Sequence, residues 1–78
     1  MQAEGVMEKQ MRKITEAETI ARENGCSLSG ARRIDRKYEI SITCRVVTPA
    51  VFEAFEEADA HPAGAYIDGE AIRIIFRW

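Results

Sequence analysis

Few side chains in this chain of 78 residues could do chemistry, and their neighbours limit what that chemistry is. His61 is the sole histidine. A general base needs a group to deprotonate within hydrogen-bond reach, and no Ser or Cys lies beside His61 in sequence. It reads as a solvated residue between a helix and Pro62. Cys26 and Cys44 lack the CxxC spacing of a zinc site, and two cysteines do not make a disulfide scaffold. Cys26 has no adjacent Lys or His to lower its pKa, so it reads as structural. Cys44 falls on an apolar strand face, where a thiol behaves as a small hydrophobe. Free thiols are expected, the alternative being one Cys26–Cys44 bridge. Glu53, Glu56, Glu57 and Asp59 share one helix face. They lack the alternating oxygen ligands and the glycine of a calcium loop, so they read as a solvated face. The expectation is no catalysis, no cofactor and no metal.

Binding residues are more suggestive. Arg45, Arg73 and Arg77 project from the wet side of two amphipathic strands, with Tyr66 and Ile75 among them. Arginine with an exposed aromatic on a sheet suits single-stranded nucleic acid, held by charge and stacking. It also suits a protein interface, where Tyr and Arg are enriched. Trp78 ends the core-facing row of the last strand, where the sheet runs out of helix to cover it. It joins Arg45, Tyr66, Arg73, Ile75 and Arg77 as a partner-binding residue, unless it folds over the sheet edge.

The elements that position these residues follow from periodicity. Arg36 to Val47 alternates Tyr38, Ile40, Ile42, Cys44 and Val46 with Lys37, Glu39, Ser41, Thr43 and Arg45. That period of two, rich in β-branched residues, predicts a strand with one buried face. Ala3 to Glu23 carries Ala3, Met7, Met11, Ile14, Ala17 and Ala21 at helical spacing, widened by Val6 and Ile20. Glu8–Arg12 and Glu18–Arg22 are i,i+4 pairs, and Asn24-Gly25 supplies the end. Leu28 to Ile34 is a weaker strand, joined to the central one by Asp35-Arg36 or Asp35-Arg36-Lys37, with a bulge expected near Arg32.

Thr48 and Pro49 suit the N-cap and first position of a second helix. Val51, Phe52, Phe55 and Ala58 form its apolar side, and His61-Pro62 is expected to stop it. Asp68-Gly69 between apolar runs predicts a type I′ hairpin turn. In the last strand Ile72, Ile74, Phe76 and Trp78 share one face, and Ala71, Arg73, Ile75 and Arg77 the other. The two hairpins resemble each other, Gly30-Ala31 through Ile40 and Ile42 matching Gly64-Ala65 through Ile72 and Ile74. The reading is one small α+β domain over residues 1–78, with halves 3–47 and 48–78. Its order is αββαββ, a four-stranded antiparallel sheet with both helices packed on one face.

Gly64 to Ala71, GAYIDGEA, resembles part of the LAGLIDADG homing-endonuclease motif, whose family also strings elements as αββαββ. The resemblance covers under a dozen residues. It would make Asp68 a metal ligand at a helix end. Here Pro62 breaks the helix beforehand, an extra residue precedes Asp68, and a strand follows, so Asp68 reads as a turn residue.

Apolar residues make up 46% of the chain and charged ones 31%, with a net charge of −2. That excludes a strongly basic DNA-coating protein and an acidic disordered tail. No apolar run approaches membrane length and no signal-peptide core is visible, so a cytosolic location is expected. The balance favours a non-catalytic protein-interaction module, an inhibitor or adaptor binding a larger protein complex. Small stand-alone inhibitors of bacterial or phage origin fit, including those directed at CRISPR-type defence complexes. The alternative is a nucleic-acid-binding domain using the Arg-rich sheet face. A homodimer would bury the apolar stripe of the long helix, since a small domain leans on partners.

Overall fold

The computed structural model describes the backbone of residues 2–78 and the side chains of residues 12–78. Six elements follow in chain order: α1 (Gln2–Glu23), β1 (Cys26–Ile34), β2 (Lys37–Cys44), α2 (Pro49–Glu57), β3 (His61–Asp68) and β4 (Ala71–Arg77). This is the expected αββαββ arrangement.

In α1, Ala17 and Ala21 are fully buried and Ile14 and Ile20 half-buried, as helical spacing requires. Ala3, Val6, Met7 and Met11 of the same stripe, and the Glu8–Arg12 pair, lie outside the described side chains. Arg22 Nη2 sits 2.8 Å from Glu18 Oε1, the expected i,i+4 pair. Asn24 Nδ2 donates to the Ile20 carbonyl at 2.8 Å. Gly25 then takes φ +74° and donates its N–H to the Arg22 carbonyl. A glycine fits there because a Cβ is disfavoured in the left-handed region.

The strands pair antiparallel in the order β1-β2-β4-β3. The second strand of each hairpin therefore lies inside and the first strand at an edge. In the β2–β4 ladder Ile40 faces Phe76, Ile42 faces Ile74 and Cys44 faces Ile72. These residues point to the helices, so the inner face is the expected one. Ile40, Ile42, Cys44, Ile74 and Phe76 are buried with Ala17, Ala21, Val51, Phe55 and Ala60. The Phe55 and Phe76 rings stack with centroids 4.1 Å apart. Burying each large side chain contributes about 1.5–3 kcal/mol, which makes this cluster a main source of the fold's stability.

Five local expectations need correction. Cys26 and Cys44 are joined by a disulfide, so the thiols are not free. The strand expected from Leu28 starts two residues earlier, which brings Cys26 opposite Cys44 with their Cα atoms 4.6 Å apart. That is the short spacing of a non-hydrogen-bonded pair, within disulfide reach. The bulge falls between Leu28 and Gly30 rather than near Arg32. Ser29 occupies it and donates through Oγ to the Ser41 carbonyl at 3.0 Å.

The turn chemistry is exchanged between the hairpins. Asp35 and Arg36 form the two-residue loop of the first, with φ of 46° and 70°, the pattern of a type I′ turn. In the second hairpin Asp68 pairs with Ala71, leaving Gly69-Glu70 as the loop. Only Gly69 there has positive φ, which fits type II′ rather than I′. Finally, α2 ends at Glu57, before His61-Pro62. Asp59 at φ 64° lets the Ala60 N–H reach the Phe55 carbonyl and the Asp59 N–H reach that of Glu56. These two bonds close the helix as a Schellman motif. His61 and Pro62 begin β3 instead.

Candidate interaction surface

The outer face of the sheet carries three rows of side chains across the strands. Register places Arg32, Glu39, Arg77 and His61 in the first row, and Gly30, Ser41, Ile75 and Gly64 in the second. Ser27, Thr43, Arg73 and Tyr66 make the third. The middle row is low because three of its four residues are Gly or Ser. A Cβ on Gly30 would lie 3.0 Å from Ser41 Oγ, so a larger residue there would make that hydroxyl shift. The result is a shallow groove of about 340 Å³ bordered by Arg32, Glu39, Ile75 and Tyr66.

Glu39 is the one buried charged residue among those described. Arg32 approaches its Oε1 through both Nε and Nη2 at 2.8 Å, and Arg77 Nε donates to Oε2 at 2.8 Å. The hydrogen bond from Arg77, then that from Arg32, holds the Glu39 carboxyl below the usual carboxylate range, against the opposing effect of burial. Because the folded pKa is depressed, the stabilisation is fully present above the unfolded value of about 4.3 and fades as pH falls through the folded one. Glu39→Gln is therefore expected to be less stable than the parent at neutral pH. The two should converge from about pH 5 downward, read as urea midpoints across an acid series. Parallel profiles would remove Glu39 as a source of the pH dependence.

The third row has its own pairing. Arg73 Nη2 lies 2.8 Å from Asp68 Oδ2, and Nη1 donates to Tyr66 Oη at 3.1 Å. The guanidinium also sits 5.7 Å from the Tyr66 ring centre. Asp68 thus closes a strand end and pairs an arginine, as a turn residue does.

Of the residues expected to meet a partner, the structure brings Tyr66, Arg73, Ile75 and Arg77 together on this face. Arg45 follows Cys44, the last residue of β2, and lies outside the ladder. Trp78 is on the helix side. Its Nε1 donates to the Ala58 carbonyl at 2.6 Å, and its ring stands edge-on to Phe55 at 6.0 Å. Lys13 Nζ approaches that ring to 5.5 Å. Trp78 thus folds over the end of the core.

Glu39 was expected on the wet face, but its pairing with Arg32 was missed. A two-residue Asp35-Arg36 loop places them directly opposite one another, so settling the loop length in sequence would have found the pair.

On β3 every residue is exposed. The helices leave its inner side open, and Ile67, opposite Ile72, is 80% exposed. Among the described residues no group of three His, Cys, Asp or Glu side chains could hold a metal ion. No helix among them is long and apolar enough to cross a membrane. Comparison with known proteins gives no matching family model, no matching curated protein and no matching solved structure.

Proposed function

We propose that the chain is a non-catalytic protein-interaction module, an inhibitor or adaptor that docks on a larger protein complex along β3. The observation that carries this reading is the exposure of β3 along its whole length. Tyr66 stands on one side of that strand and Ile67 on the other, and its outer edge pairs with nothing among the described residues. An open edge is a template for strand addition, and exposed apolar side chains beside it commonly mark an interface. Pro62 and the irregularity at Ala63 guard the first part of the strand, leaving Gly64 to Asp68 to receive a partner.

Stacking of single-stranded nucleic acid on this face has less support. Arg73 and Arg77 are already committed to Asp68 and Glu39, and Tyr66 is the only aromatic in the three rows. A cytosolic setting is compatible with the cysteines. Under reducing conditions the pair would pack as two small hydrophobes, and under oxidising conditions it is a clamp.

The test is affinity capture from the native host, with and without nuclease, using the parent and a Tyr66→Ala/Ile67→Lys variant. A partner that survives nuclease and is lost with the variant supports the reading. A variant that captures the same partner as the parent overturns docking along β3.

A further inference from the structure

We infer that the tip of the β1–β2 hairpin is a grip for the phosphate backbone of duplex DNA. The inference is independent of the β3 reading. Residues 33–37 hold Arg33, Arg36 and Lys37 against Asp35 alone, a net of +2 in a chain whose net charge is −2, while Arg32 beside them is paired with Glu39. Charge is therefore segregated, with Glu53, Glu56, Glu57 and Asp59 gathered on and just after α2 on the other side of the sheet. A basic patch of this kind is the electrostatic footprint of a polyanion site.

Geometry narrows the ligand. The tip is a two-stranded ribbon, and all residues from 31 to 37 are exposed. Register puts Lys37 on its outer side and Arg33, opposite Tyr38, on its inner side. Arg36 stands at the turn itself. Cations thus point to both sides and to the end. That arrangement suits a ribbon entering a groove with phosphates on both walls, and it does not suit a flat anionic surface. The major groove of B-DNA, about 12 Å wide, admits a two-stranded ribbon, whereas the major groove of duplex RNA is too narrow.

Arg33, Arg36 and Lys37 have no carboxylate within ion-pair distance among the described residues, so their charge is available. The only aromatic at the tip, Tyr38, is half-buried with the Arg33 guanidinium 6.0 Å from its ring, which leaves no platform for stacking an unpaired base. At the far end of the ribbon the Cys26–Cys44 bond ties the two strands together.

The test is fluorescence anisotropy with a labelled mixed-sequence DNA duplex, titrated with the full chain across a salt series. Three phosphate contacts predict a log–log salt slope of about −3. The Arg33→Gln/Arg36→Gly/Lys37→Gln variant should bind at least about tenfold more weakly, with a slope near zero. An Arg12→Gln/Arg22→Gln variant, altered on α1 instead, should bind like the parent. Thermal melts confirm that both variants fold. Binding without salt dependence, or a tip variant as tight as the parent, overturns the inference. So does competition by a polyglutamate peptide as effective as that by unlabelled duplex, which would assign the tip to an acidic protein. Equal affinity for duplex RNA overturns the groove assignment.

Discussion

Ile42→Ala is expected to lower the unfolding free energy by about 2–5 kcal/mol. Ile42 is 0% exposed and faces Ile74 in the middle of the β2–β4 ladder, where the two hairpins join. Truncation there removes buried methyl and methylene groups and leaves a cavity between rigid neighbours. A domain of this size has a total stability of only about 4–12 kcal/mol, so the variant stands near its unfolding threshold. Urea denaturation followed by circular dichroism measures the loss. Val46→Ala provides the contrast. Val46 is 71% exposed just past the strand end, and its truncation should change stability by no more than about 0.5 kcal/mol. An Ile42→Ala midpoint equal to that of the parent would place the core elsewhere.

Reducing the Cys26–Cys44 bond is expected to cost about 3 kcal/mol, because the cross-link restricts the unfolded chain over a sequence separation of 18 residues. Reduction tests this better than substitution. Both sulfur atoms stay in the core, so packing is nearly preserved while the cross-link is lost. For a domain of this length the melting temperature should fall by about 12–24 °C on adding a reductant. A reduced protein melting within a few degrees of the oxidised one would show that native packing at the base of the hairpin, not the covalent link, sets the stability there.

These two sites differ in how far the sequence disclosed them. Ile42 was legible because the alternation from Tyr38 to Cys44 is strict and β-branched, and period alone assigns its face. The same argument gave Ile74 and Phe76, and hence the inner side of the sheet. The disulfide was not legible because it depends on register, and register depends on where β1 begins and where it bulges. The start of β1 at Cys26 and the extra residue at Ser29 are both needed to place Cys26 against Cys44. Neither leaves a mark in composition. The turns were hidden for a related reason. Asp68-Gly69 carries the favoured type I′ dipeptide, but pairing of Asp68 with Ala71 moves the loop on by one residue. Meanwhile Asp35-Arg36 adopts the type I′ conformation without a glycine, held there by the strands on either side.

On the candidate surface, Tyr66, Arg73, Ile75 and Arg77 were found by side-chain alternation. The pairing of two of them with carboxylates was not, since Asp68 and Glu39 meet those arginines only through cross-strand register. Trp78 was correctly placed at the end of the core-facing row. Its hydrogen bond to Ala58 depends on where α2 stops, which the Schellman closure at Asp59 decides and which His61-Pro62 in sequence obscured.

The bond at the base of the first hairpin has a further consequence for backbone cleavage. The exposed tip, with Arg32, Arg33, Arg36 and Lys37, is rich in the residues after which trypsin-like proteases cut, and exposed turns are where such nicks concentrate. A cut between Arg36 and Lys37 would separate the polypeptide into an α1–β1 piece and a piece carrying the other four elements. Cys26 lies in the first and Cys44 in the second. The nicked molecule would therefore stay one covalent unit of nearly unchanged mass, its pieces separable only after the sulfur bridge is opened.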